Sequence, residues 1–134
     1  MGLEAEGDTL DEALCAAAEG MFNLMFELSG VQPQHTVGVE CEAGDEAALC
    51  VEWLNELLAQ RDITGMVFSQ FRITALEECG VGEARTLLLH GQASGEPFDA
   101  ARHATRLEVK AATYFGLRYE RSDGRHILRC VLDV

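Results

Sequence analysis

The stretch at residues 45–60, DEAALCVEWLNELLAQ, decides the fold of this chain. Its Asp45 can accept hydrogen bonds from the free N–H groups at the start of a helix, so the sequence predicts that a helix begins here. Apolar residues then recur in two adjacent lines along the predicted helix: Leu49, Trp53 and Leu57, and Cys50, Leu54 and Leu58. An apolar face this wide predicts a helix that lies on a sheet.

A second helix is predicted earlier in the chain. Thr-Leu-Asp-Glu at residues 9–12 matches the capping box, in which a Thr and a Glu three residues later satisfy free backbone N–H groups at a helix start. Apolar residues follow at alternating spacings of three and four: Leu10, Leu14, Ala17, Met21, Leu24 and Leu28. The pair Ser29-Gly30 predicts the end of this helix.

The remaining segments are typical of strands. Residues 36–42 alternate in side-chain character with a period of two, and further strands are predicted at residues 66–76, 86–93, 107–120 and 126–133. Ser-Asp-Gly-Arg at 122–125 carries the Asp-Gly pair of a tight hairpin. The glycine-rich stretch at 79–82 predicts another turn, because it lacks the Gly-Lys ending of a phosphate-binding loop. Together these features predict an α+β fold: one domain, residues 1–134, with two helices packed on a mainly antiparallel sheet.

Charge is distributed unevenly along the sequence. The chain has 134 residues, with 23 Asp and Glu against 10 Lys and Arg, and a net charge of −13. Every basic residue lies at Arg61 or later, so residues 1–60 carry acids alone. Binding to nucleic acid through phosphates scales with the number of basic contacts, so we expect no direct nucleic acid binding. A basic protein partner suits this charge better.

Composition disfavours several other classes of protein. No apolar run approaches the roughly 20 residues of a membrane span, and the first residues carry no basic and hydrophobic signal, so we expect a cytoplasmic protein without a membrane partner. The five cysteines form no Cys-x-x-Cys pair, which favours buried free thiols over a zinc or redox motif. The four histidines show no metal-ligand spacing.

Lys110 and Asp133 are the two candidate functional residues. Lys110 is the only lysine, and strand alternation would place it on the same face as Glu108, where it is either a functional charge or an exposed partner of that carboxylate. Asp133, next to Val134, offers the hard oxygen ligands that Ca²⁺ or Mg²⁺ prefers. A solvated chain end is the alternative interpretation of Asp133.

Six segments of the sequence resemble the archease family, in the order of the family and over nearly the whole chain. They are DTLDEAL at 8–14, MFNLM at 21–25, WLNEL at 53–57, GEPFD at 95–99, EVKAATY at 108–114 and VLDV at 131–134. The resemblance is most specific at the Trp53 segment, the Gly-Glu-Pro-Phe-Asp loop, the Lys110 strand and the last segment.

The resemblance implies an accessory protein in tRNA splicing and RNA repair, not an enzyme. Its partner would be an RtcB-type RNA ligase, which it would help to become guanylylated from GTP and to complete many turnovers. The functionally important lysine of the family corresponds to Lys110. A divalent metal, Ca²⁺ in the family, would be held by Asp133, by the main-chain oxygen of Val134 and by an Asp in an N-terminal His-Thr-Ala-Asp segment.

The sequence departs from the family in two places. The His-Thr-Ala-Asp segment should lie just before Gly2 and is absent, so we expect weak metal binding and the loss of much of an N-terminal strand. Phe115 stands where relatives often have His. The alternative function is a chaperone-like acidic protein-binding module without metal dependence.

Overall fold

The computed structural model describes residues 1–134 and contains two helices and six strands. The helices are α1 (Leu10–Met25) and α2 (Glu46–Thr64). The strands are β1 (Gly2–Gly7), β2 (His35–Ala43), β3 (Met66–Cys79), β4 (Thr86–Pro97), β5 (Ala111–Ser122) and β6 (Arg125–Asp133). Neither helix combines the length and apolar character that crossing a membrane requires.

The strands form two separate sheets of three strands each, with orders β1-β6-β5 and β2-β4-β3. All pairs are antiparallel. The predicted α+β class is confirmed, but a description with one sheet is incomplete. Strand β1 was not predicted; it pairs with β6 along its length, from Gly2 opposite Val131 to Gly7 opposite His126.

The buried faces of the two helices and both sheets form one core. Leu14 and Met21 of α1, and Trp53 of α2, have no exposed surface. The Trp53 indole N–H donates a hydrogen bond of 2.9 Å to the Leu14 carbonyl, so its one polar group is satisfied inside the core. Phe22 of α1 meets Phe68 of β3 edge to face, with ring centroids 5.7 Å apart.

Both predicted helix starts are confirmed. The Thr9 hydroxyl accepts from the Glu12 N–H at 3.1 Å, and the Asp45 carboxylate accepts from the Ala48 N–H at 2.8 Å. The ends differ from prediction. Helix α1 stops at Met25, before a short 3-10 turn at Leu28–Gly30, and α2 continues beyond residue 60 to Thr64.

The last two strands form the predicted hairpin. Asp123 and Gly124 both have positive φ, at 51° and 78°, as a two-residue turn matched to strand twist requires. The glycine-rich stretch at 79–82 connects β3 to β4, as predicted. However, β5 begins at Ala111, so residues 107–110 approach the sheet without joining its ladder as a strand.

Candidate functional site

The structure brings Lys110 and Asp133 together. The Lys110 backbone N–H donates a hydrogen bond of 2.8 Å to the Asp133 carbonyl, and the next residue, Ala111, lies opposite Asp133 in the ladder. Both side chains are exposed. Lys110 takes part in no ion pair, so the alternative in which it pairs with Glu108 is not formed.

Helix α2 holds the chain on both sides of Lys110. The Asn55 side chain donates to the Ala112 carbonyl at 2.9 Å and accepts from the Ala112 N–H at 2.8 Å, as a neighbouring strand would. Arg61 donates to the Val109 carbonyl at 3.3 Å, and the Val109 side chain is fully buried. The backbone of Lys110 is therefore positioned by its neighbours, while its ammonium group is free to contact another molecule.

The first residues of the chain reach the same corner of the sheet. Leu132 donates its N–H to the Met1 carbonyl at 2.7 Å, and the Met1 nitrogen donates to the Leu132 carbonyl at 3.1 Å. The start of the chain therefore lies beside the end of β6, which finishes at Asp133. Met1, Lys110 and Asp133 lie at one end of the three-stranded sheet.

This corner offers few ligands for a metal ion. No group of three or more His, Cys, Asp or Glu side chains in the chain lies close enough to hold one. The Glu4 carboxylate of β1 accepts a hydrogen bond of 3.1 Å from Arg129 Nε, and the Glu6 carboxylate accepts one of 3.3 Å from Arg125 Nη2. Ca²⁺ usually takes about 6–8 oxygen ligands, which the Asp133 carboxylate and the oxygens of Val134 do not supply by themselves. The donor set of this chain therefore does not fit a resident Ca²⁺ ion.

A buried polar cluster fixes the Gly-Glu-Pro-Phe-Asp loop, and sequence reasoning did not find it. Glu96 is only 2% exposed, and its carboxylate contacts His103 Nε2 and Arg102 Nη2, each at 2.5 Å. The Asp99 N–H donates to His103 Nδ1 at 2.9 Å, so Nε2 carries the ring proton that Glu96 accepts. Burial raises the pKa of Glu96, but hydrogen bonds from His103, the Gln32 backbone and Arg102 outweigh it and lower that pKa overall.

A cavity of about 490 Å³ lies between the C-terminal ends of the helices and residues 98–108. Its two guanidinium groups are already engaged. Arg61 contacts Asp62 at 3.0 Å, and Arg106 pairs with Glu27. The cavity therefore presents no free cation for an anionic ligand.

The charge separation seen along the sequence is only partly retained in space. Arg125 and Arg129 of β6 pair with acids of β1, and Arg85 pairs with Glu46 of α2 at 2.8 Å. The later half of the chain thus neutralises part of the earlier half. Acids without such partners remain on α2, where Glu52 and Glu56 lie close to Cys41 of β2.

Two helices and two three-stranded antiparallel sheets, with an unpaired lysine near an aspartate at one corner, define a small α+β domain. Comparisons identify its family. The model of the Archease protein family (MTH1598/TM1083) matches residues 1–134. The chain belongs to the archease family.

Relatives match over nearly their full lengths. The archease of Methanopyrus kandleri is 38% identical over 127 residues, which cover 95% of this chain and 87% of the relative. The archease of Pyrococcus furiosus is 34% identical over 135 residues, which cover 100% of this chain and 92% of the relative.

Two solved structures share the fold. The solution structure of Methanobacterium thermoautotrophicum protein 1598 has a TM-score of 0.78 and 30% identity, with 99% of this chain and 91% of that chain covered. The crystal structure of a Thermotoga maritima archease, named a possible chaperone, has a TM-score of 0.56 at 17% identity. The match covers 100% of this chain and 90% of that chain. The second comparison supports the fold alone.

Proposed function

We propose that this chain is an accessory protein of tRNA splicing and RNA repair that activates an RtcB-type RNA ligase, by promoting its guanylylation from GTP and its multiple turnover. Membership of the archease family supports this proposal. The observation that carries it is the 2.8 Å hydrogen bond from Lys110 N–H to the Asp133 carbonyl. It places the only lysine beside an exposed carboxylate, at a corner that a partner can reach.

Lys110 is the residue to which we assign activation. A lysine ammonium is a compact charge on a flexible stem, suited to contacting a phosphate whose position is set by another protein. Lys110 is exposed and has no ion-pair partner within its own chain. The ligase supplies the bond-making chemistry, and Lys110 supplies a positive charge close to the phosphates that react.

The negative charge of the chain suits a partner that binds RNA. A net charge of −13 repels RNA and attracts the basic surface of an RNA-binding enzyme. Complementary charge increases association rates and disfavours wrong partners. The proposal therefore assigns RNA contacts to the ligase.

The family resemblance also implies a divalent cation, Ca²⁺, at Asp133 and Val134, and we propose this site separately from the role of Lys110. Such an ion would take most of its oxygen ligands from water or from the ligase, so the proposal gives it no step in activation. Titration of the isolated protein with Ca²⁺ in a calorimeter should show weak binding, and Asp133→Asn should remove it. Tight binding that survives Asp133→Asn would contradict the placement.

The decisive experiment measures guanylylation of a purified RtcB-type ligase with GTP, and its multiple-turnover ligation, with and without this protein. We expect wild type to stimulate both and Lys110→Ala to stimulate neither. Arg72→Ala is the matched control, because Arg72 is also basic, exposed and unpaired, but lies on β3 in the other sheet. Equal stimulation by Lys110→Ala and wild type would remove Lys110 from the proposal.

The second candidate function is a chaperone-like module that binds proteins without a metal. The net charge of −13, with acids on α2 that have no arginine partner, favours keeping it, because such a surface attracts a basic client protein. Suppressed aggregation of unrelated proteins, unaffected by EDTA and by Lys110→Ala, would support this function. Stimulation confined to the ligase would support activation.

A further inference from the structure

Strand β5 contains a bulge that displays two neighbouring aromatic side chains. Thr113 pairs with Val131 and the next pair is Arg118 with Arg129, so residues 114–117 lie opposite Cys130 alone. Gly116 within this segment has a φ of 66°, a left-handed conformation that favours glycine. Bulges of this kind redirect side chains out of the regular sheet and are frequent beside functional sites.

The aromatic residues of the bulge face solvent. Tyr114 is 56% exposed and Phe115 is 79% exposed. They are the only two large hydrophobic residues that are both exposed and adjacent in the chain. Aromatic side chains are enriched where proteins bind each other, because a rigid ring gains much buried area at a small loss of conformational freedom.

The Glu52 carboxylate of α2 lies against the bulge, and the two arginines that close it, Arg118 and Arg129, are each paired with Glu120. The Tyr114 hydroxyl donates a hydrogen bond to the Glu52 carboxylate of α2. That hydrogen bond, with burial and the nearby charges of Glu52 and Asp45, raises the pKa of Tyr114 to about 12. The phenol is therefore a neutral hydrogen-bond donor at neutral pH.

This combination selects one class of occupant. RNA and anionic membranes carry negative charge, and a second copy of this chain carries the same net charge of −13, so all three are repelled. A guanidinium or ammonium group is attracted by the Glu52 carboxylate, and an exposed aromatic ring such as that of Phe115 also attracts a cation. The surface therefore fits a basic protein segment.

We infer that the bulge at residues 114–117, with Glu52 behind it, is the surface on which a basic segment of the partner ligase docks. This inference rests on the proposed function and gives it a location. Tyr114 lies four residues after Lys110, which is about 13 Å along an extended strand. A ligase held at the bulge would therefore keep its active site within reach of Lys110.

The test measures the dissociation constant between the full-length protein and the purified ligase by calorimetry. We expect Phe115→Ala to raise that constant at least tenfold while leaving the guanylylation rate at saturation unchanged, because Lys110 remains in place. Val81→Ala is the matched control: Val81 is 84% exposed in the β3–β4 turn and should bind like wild type. Both substitutions remove exposed side chains, so both proteins should keep the wild-type melting temperature.

A pair of charged variants identifies the sign of the partner surface. Phe115→Arg and Phe115→Glu remove the same ring, so a basic partner should bind Phe115→Arg at least tenfold more weakly than Phe115→Glu. The opposite order, or Phe115→Ala binding within twofold of wild type, would overturn the docking surface while wild-type stimulation kept the proposed function intact. Failure of the wild-type protein to bind or stimulate the ligase would overturn both.

Discussion

Asn55 gives the sharpest test of how α2 supports the candidate site. Its side chain makes two hydrogen bonds to Ala112, at 2.9 Å and 2.8 Å, and Asn55→Ala removes both. A partly buried hydrogen bond contributes about 1 kcal/mol net, so the free energy of unfolding should fall by about 2 kcal/mol. For a domain of this size that corresponds to a melting temperature lower by roughly 6–10 °C.

The assay is urea unfolding followed by circular dichroism, together with stimulation of the ligase. Gln60→Ala is the matched control, because Gln60 is an amide on the same helix whose side chain makes no hydrogen bond within the chain. Gln60→Ala should lower the free energy of unfolding by no more than about 0.5 kcal/mol. Asn55→Ala should also stimulate the ligase less than Gln60→Ala does, since the backbone beside Lys110 is no longer held. If Asn55→Ala lowers the free energy of unfolding no more than Gln60→Ala does, the two hydrogen bonds to Ala112 do not stabilise the fold as argued.

Three further predictions concern packing, pH and thiol chemistry. Gly95→Ala should lower the melting temperature strongly, because its Cβ would lie 1.8 Å from a main-chain oxygen of β3, whereas Gly38→Ala, with nothing within 4 Å, should not. The folded state lowers the pKa of Glu96 below its ordinary value of 4.5, so this group stabilises the fold above that pH and loses its contribution as pH falls; urea unfolding of Glu96→Gln should depend less on pH in the acid range. A maleimide at about pH 8 should label the exposed Cys79 first, since burial and then neighbouring carboxylates raise the pKa of Cys41 to about 12, and Cys79→Ser should abolish the fast phase in mass spectrometry.

Local patterns predicted the helices well, because their causes are local. Thr9 and Asp45 accept hydrogen bonds from residues only three positions away. Strand β1 was missed because its sequence, GLEAEG, has few apolar residues, and only Ala5 and Gly7 are buried. What makes it a strand is β6, more than 100 residues later, and no local pattern carries that information. The division into two sheets is likewise a result of long-range pairing.

The sequence indicated the individual residues of the candidate site, but it did not indicate their geometry. Lys110 and Asp133 stood out as a single lysine and a late acid, and family resemblance joined them; only the ladder between β5 and β6 sets the distance. The pair of Glu96 and His103 was missed, although both lie within one short segment, because nothing in the spacing shows which histidine is buried. The bulge carrying Phe115 was hidden inside a segment predicted as one continuous strand.

The pairing of β1 with β6 joins two segments that are synthesised at different times. Strand β1 leaves the ribosome more than 100 residues before β6 does. Both helices can be complete by then, while Glu4 and Glu6 still lack the arginines that neutralise them. Contacts between distant parts of a sequence form late in folding. The corner that holds Lys110 and Asp133 is therefore completed only after β6 has been synthesised.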